Sequence, residues 1–148
     1  MDPATRTLLQ DMARRESRSL MQYAREAFPW TTPEERQALT QLQQVAEEDR
    51  QGAGALLQFL ARRGHTFPYL GPYPMAYTSL NNVSLGYLLP MLVTHEKQAI
   101  ADLERDRTAL TDEEALLQIE KIVTMKHRHL QTLEALAAAH SETASTIR

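Results

Sequence analysis

The feature that most restricts this chain is where its helix breakers stand. Five glycines and seven prolines occur among 148 residues, and they cluster, leaving four long stretches rich in Leu, Ala, Glu, Gln and Arg. All five residue types favour helix. The first stretch is expected to form a helix from Pro3 to Phe28, capped by Asp2 and stopped by Pro29. Proline suits a first helical position and disfavours helical geometry in the residue before it. The second opens with Thr32-Pro33-Glu34-Glu35, a capping box with two carboxylates at the positive end of the dipole. It reaches Arg63, where Gly64 can take the left-handed cap. A third helix is expected from Ser79 or Leu80 to about Thr108, and a fourth from a second capping box, Thr111-Asp112-Glu113-Glu114, to near Ala139. The Ser/Thr-rich remainder, 140–148, is expected to fray as a flexible tail.

Apolar residues recur at helical spacing in every stretch, and none alternates as a half-buried strand would, so the expected class is all-α. About four residues join the first two helices and about two join the last pair, which makes each pair an antiparallel hairpin. Between the hairpins lies 64–78, with three prolines and three tyrosines. Fifteen extended residues reach roughly 50 Å and a helix of ~28 residues is roughly 42 Å long, so this strap can run the length of a bundle. The expected architecture is an antiparallel four-helix bundle in one domain, 1–139, with a long crossover between helices two and three. That is the ferritin-like arrangement.

Composition removes several function classes. Without cysteine there is no disulfide scaffold, thiolate zinc site, iron–sulfur cluster or cysteine nucleophile. A net charge of −3 and a pI near 5.9 argue against nucleic acid or anionic membrane as a partner. No apolar run approaches the ~20 residues of a membrane span. The amino terminus lacks the apolar region of a secretory signal, so a cytoplasmic location is the expectation. Glycine-rich phosphate loops, Gly-x-Ser-x-Gly and HExxH are all missing from the sequence. The basic clusters Arg14, Arg15 and Arg18, Arg62-Arg63 and Lys126-His127-Arg128 are expected to pair with carboxylates on solvated faces.

The apolar stripes are interrupted by polar residues. The first carries Glu16 among Leu9, Met12, Ser19, Leu20, Tyr23 and Ala27, and the second carries Asp49 among Leu42, Val45, Gly52, Leu56 and Leu60. The third carries His95 or Glu96 among Leu85, Leu88, Leu92, Ala99 and Leu103. The fourth carries Lys126 and His129 among Ile119, Ile122, Leu133 and Leu136. Measured from the Trp30 turn, Glu16, Asp49, His95 and His129 lie ~15–24 Å down the helices, which places them in one layer. Glu16 and Asp49 are 33 residues apart, as are Glu96 and His129, a hint of two related halves.

With its architecture and these polar positions, the chain resembles the ferritin-like superfamily over residues 3–139, nearest in size to rubrerythrin-type domains. The segments Glu16 to Tyr23 (ESRSLMQY) and Gly71 to Pro74 (GPYP) are similar to those of small bacterial ferritin-like proteins, a group with no activity to transfer. The resemblance implies one glutamate from each of two helices and a Glu-x-x-His pair from each of the other two. Glu16 matches, and Glu96 or its neighbour His95 matches less cleanly. Helix two fails, because Glu47 and Glu48 are followed three places on by Arg50 and Gln51. Helix four fails too, with Thr124 and Lys126 three places ahead of His127 and His129.

Three readings of the layer remain. Glu16 and Asp49 pair with His129, Lys126 or Arg18 in a hydrogen-bonded layer. Alternatively, Glu16, Asp49, His129 and His95 or Glu96 bind one divalent ion, iron, manganese or zinc. In the third, the facing is off by one residue around Glu47-Glu48-Asp49 and these carboxylates are solvated. Pro90 is expected to kink helix three, eased by Gly86. Tyr23 and Tyr87 are candidate neighbours of a metal, their hydroxyls otherwise reaching the layer or solvent. The strap aromatics Phe67, Tyr69, Tyr73 and Tyr77, with Trp30, form a candidate adhesive surface. The expectation for function is a degenerate metal centre in a non-enzymatic protein acting through self-association or a protein partner. The alternative is a metal-dependent oxidoreductase or metal-handling protein using Glu16, Asp49, His95, Glu96 and His129.

Overall fold

A computed structural model of the chain describes residues 1–147, with side chains to residue 140. Five α-helices build it: α1 Pro3–Ser17, α2 Leu20–Glu26, α3 Arg36–Arg62, α4 Leu85–Arg107 and α5 Glu113–Ile147. Turns of 3₁₀ helix, Pro33–Glu35 and Met75–Leu80, come before α3 and α4. No strand occurs among the described residues, so the class is all-α. Among them, too, no helix is long and apolar enough to cross a membrane.

The helix boundaries correct the sequence reading in three places. The expected helix from Pro3 to Phe28 is broken at Arg18-Ser19, because Ser19 leaves helical geometry and its hydroxyl accepts from the Gln22 N–H at 3.3 Å. A serine that caps a new helix competes with continuation of the old one. The third helix starts at Leu85, not Leu80: Ser84 caps it by accepting from the Tyr87 N–H at 3.2 Å. The fourth is capped by Asp112, not Thr111, with Asp112 Oδ1 accepting from the Ala115 N–H at 3.0 Å. The helix assignment runs on to Ile147, and the side chains of the expected tail lie outside the described residues after His140. Other expectations stand: Glu35 Oε1 accepts from the Thr32 N–H at 3.0 Å, and Gly64 adopts φ +80° after α3.

Helix α3 packs on α1 and α2, α4 packs on α5, and the two groups meet along α3–α5 and along α1/α2–α4. The ends are fixed by polar contacts. Arg63 at the foot of α3 pairs with Asp112 before α5 at 2.7 Å, while the Trp30 N–H donates to the Val83 carbonyl before α4 at 3.2 Å. The connection from α3 to α4 therefore leaves one end of the helices and arrives at the other. On the way Gln10 donates to the Thr66 carbonyl, Arg18 donates to the Gly71 carbonyl at 2.7 Å, Tyr73 donates to Glu26, and Tyr23 donates to Asn81.

The core divides in two. Leu20, Met21, Leu42, Leu85, Leu89 and Leu133 centre the cluster nearer Trp30, and Leu9, Met12, Leu56, Phe59, Leu103 and Ile119 centre the other. Each fully buried leucine contributes about 1.5–3 kcal/mol, which offsets the cost of what lies between the clusters. Between the two apolar halves of α3, α4 and α5 stands a buried polar residue, and Glu16 stands where α1 gives way to α2.

Candidate functional site

Glu16 from α1, Asp49 from α3, Glu96 from α4, and Lys126 with His129 from α5 meet between the apolar clusters, each no more than 5% exposed. The centre is Lys126, itself 1% exposed. Its Nζ lies 2.7 Å from Glu16 Oε2, 2.8 Å from Asp49 Oδ1 and 3.5 Å from Glu96 Oε1, so one ammonium gathers three carboxylates from three other helices. Of the two places the sequence offers Lys126, the basic Lys126-His127-Arg128 cluster and the inward stripe, it takes the second and is buried at the heart of the molecule. It follows Ile122 and precedes His129 and Leu133 on the inward stripe, and helical geometry turns all of them inward together.

The electrostatics follow from burial. Desolvation alone would lower the Lys126 ammonium's pKa, but Glu16, Asp49 and Glu96 together hold it well above the ordinary lysine range. Burial pushes the Glu16 carboxyl up against the pull of Lys126. Burial also pushes Glu96 up to about 7, against the pull of Lys126 at 3.5 Å and with the charges of Asp49 and Glu16 adding to the rise. Three carboxylates share one ammonium, so burial favours protons on Glu16 and Glu96.

Sequence reasoning missed Gln22. Its Nε2 donates to Asp49 Oδ2 at 2.8 Å and to the Ala46 carbonyl at 3.1 Å, completing the acceptor positions of Asp49. The break at Ser19 shifts the helical phase, turning Met21, Gln22 and Ala24 inward while Tyr23 is half-buried. The signal was available in Ser17-Arg18-Ser19, since serine inside a helical run is a capping candidate.

The remaining candidates separate cleanly. His95 is excluded from the layer: it faces the strap, its ring 5.9 Å from Tyr77, and burial there lowers its pKa. Its neighbour Glu96 is the residue that turns inward. Around Glu47-Glu48-Asp49, Asp49 is the buried carboxylate, Glu47 is held to about 2 by Arg50, and Glu48 is exposed. Glu48 Oε2 lies 2.8 Å from His129 Nε2, a contact that lowers the Glu48 pKa. The opposite ring nitrogen, His129 Nδ1, is buried without a hydrogen-bond partner. Asp49, Glu96 and His129 each offer one ligand atom within 4.8 Å of the others, an arrangement of metal-binding type. Arg18 is spent on the Gly71 carbonyl and the Tyr73 ring, and Arg15 on Asp11 and Asp106. Tyr23 donates to Asn81, and Tyr87 is 59% exposed, so neither hydroxyl serves the layer.

The layer borders a cleft on one side. A cleft of about 380 Å³ lies under the strap, lined by Leu70, Pro72, Pro74 and Tyr77 above and by Glu16, Glu96 and Lys126 below. Comparison with protein-family models, with curated proteins and with solved structures gives no match.

Proposed function

We propose that this chain is a ferritin-like four-helix bundle whose metal centre has become an internal ion-pair cluster, and that it is a non-enzymatic protein acting through association. Counting α1 with α2 as one rod, the packing pairs form a closed ring of four, and the crossover spans its length, which supports the ferritin-like reading. The observation that carries the functional reading is Lys126 Nζ within 3.5 Å of Glu16, Asp49 and Glu96. A di-iron centre does not fit these residues. Where the pattern has its two Glu-x-x-His pairs, this chain has Asp49-x-x-Gly52 and Lys126-x-x-His129, an ammonium in place of a carboxylate and a glycine in place of an imidazole. A Cβ at Gly52 would come within 2.9 Å of Met125 Cε, so methionine occupies the space beside the missing ligand.

The test is elemental analysis of protein purified without chelators. The wild type is expected to hold well under one metal ion per chain. Lys126→Glu completes a Glu-x-x-His pair and brings four carboxylates together, so this variant should gain iron, manganese or zinc and melt higher when loaded. Near-stoichiometric metal in the wild type, lost in Glu16→Ala, would overturn the reading.

One observation favours a second reading, a metal-handling protein: the unpartnered, buried His129 Nδ1 beside Asp49 and Glu96. Binding there requires the Lys126 ammonium to leave. Zinc titration of the wild type, compared with His129→Ala, separates the two readings.

A further inference from the structure

Between Arg63 and Glu96 the chain contains no Asp, Glu, Lys or Arg, although charged residues make up 24% of the whole. This run of 32 residues comprises the strap and the first half of α4. Part of it is interior, as Leu85, Leu88, Leu89 and Leu92 are buried. The rest is surface, yet it carries large apolar side chains in place of charge: Tyr69 is 84% exposed, Met75 85% and Phe67 62%. Tyr87 continues this side of the molecule. It shares a helical stripe with Met91 and His95, and His95 packs on Tyr77 of the strap. Trp30, 56% exposed, joins the end of the face through its bridge to Ser84.

We infer that this charge-poor face is where a second copy of the chain docks, about a two-fold axis. The inference rests on the association reading above and names its partner. In a two-fold interface each copy offers the same patch, so a charged residue near the axis meets its own like charge. A strap without Asp, Glu, Lys or Arg keeps that conflict small, and the charged side chains that touch it, Arg18 and Glu26, are engaged with the Gly71 carbonyl, the Tyr73 ring and the Tyr73 hydroxyl. A partner of different sequence would impose no such condition, and opposite charges would then be the usual means of recognition. The size is suitable as well. Phe67, Tyr69, Met75, Tyr87 and Trp30 together expose roughly 600 Å² of largely apolar surface, approaching the ~800 Å² per partner of a standard interface. That is the upper end of the ~300–600 Å² that the largest apolar patch of a typical monomer exposes, and such patches are often functional.

The face is also held ready. Pro68, Pro72 and Pro74 restrict the strap backbone, and the contacts to Gln10, Arg18, Tyr23 and Glu26 pin it to α1 and α2. A surface already ordered loses little conformational freedom on docking. Asn81, Asn82, Thr66 and Thr78 supply uncharged hydrogen-bonding groups at its margin.

Sedimentation equilibrium of the full chain from about 1 to about 200 µM tests the inference, a range that detects a dimer of micromolar affinity. The expected result is a monomer–dimer equilibrium. Tyr69→Glu and Met75→Lys, at positions too exposed to disturb folding, should each raise the dissociation constant at least tenfold with unchanged circular dichroism. Gln44→Glu, in the groove between α3 and α5, should leave it unchanged. A monomer throughout the range overturns the inference, as does a dimer indifferent to both strap variants. A monomer that co-sediments with phosphatidylcholine vesicles overturns it in favour of a membrane surface. None of these failures bears on the metal content of the buried layer, which is measured separately.

Discussion

The mid-bundle layer and the strap face distribute charge in opposite ways. Inside, one ammonium and three carboxylates are withdrawn from water, with Lys126 and Asp49 only 1–2% exposed. Outside, the strap contains no Asp, Glu, Lys or Arg, although solvation of a charge there would cost little. Each departs from the ordinary partition of charged residues to the surface and apolar ones to the core. The difference teaches where to look for stability and where to look for interaction. Interior ionic groups can be tolerated only when each has partners, so the layer is a closed set whose members depend on one another. The strap is pinned to α1 and α2 by a few contacts, but the side chains of Phe67, Tyr69 and Met75 stand mostly in solvent.

The largest effect should come from breaking the closed set. Lys126→Met leaves Glu16, Asp49 and Glu96 facing one another without a cation, and is expected to cost about 3–5 kcal/mol in urea denaturation at pH 8. Replacing the set together, with Glu16→Leu, Asp49→Leu, Glu96→Leu and Lys126→Met, should recover most of that loss, because a packed apolar layer needs no compensation. A single Lys126→Met change costing under about 1 kcal/mol would show that the layer is hydrated and the charges independent.

Much of this arrangement was legible in the sequence, and the parts that were not share a physical cause. Where a helix is unbroken, its period carries the inward face reliably: in α5, Ile119, Ile122, Lys126, His129, Leu133 and Leu136 were all expected inside and all are buried. Where the chain breaks, the phase restarts, and the reading that carried Tyr23 inward past Ser19 missed Gln22. In α4 the period placed both His95 and Glu96 near the core, because neighbours on a helix differ by only about 100° and an inward stripe is at least that wide. What chose between them lies elsewhere in the chain: Tyr77 of the strap takes the His95 ring, and Lys126 of α5 takes the Glu96 carboxylate. Lys126 itself was on the right stripe, but its part as the shared cation depends on three other helices arriving at one height.

A smaller effect, and one that depends on pH, should come from Glu96. Its carboxyl titrates at about 7 in the folded protein against an ordinary 4.5. The unfolded chain therefore releases this proton first as pH rises. The stability that comes from keeping Glu96 protonated is whole below about pH 4.5 and is lost as pH climbs to 7. The full swing is of order 3 kcal/mol. Glu96→Gln cannot ionise, so its stability between pH 5 and 8 should be flatter than that of the wild type. Urea midpoints across that interval test this, and parallel curves for the two proteins would reassign the pH dependence to Glu16.

The smallest effect sets the two regions side by side within one peptide bond. His95 belongs to the strap side and Glu96 to the layer, although they are consecutive in α4. His95→Ala removes an edge-on ring contact with Tyr77 and leaves every charge of the layer in place, so about 0.5–1 kcal/mol should be lost. That loss should be smaller at pH 5 than at pH 8, because burial lowers the His95 pKa and the variant is spared the cost of charging the ring in the fold, and the metal content should be unaltered. If His95→Ala instead reproduced the flattened pH profile expected of Glu96→Gln, the imidazole would be acting on the layer through the cleft that both residues line. The boundary between the charged interior and the charge-poor face would then have to be drawn outside α4 and not along it.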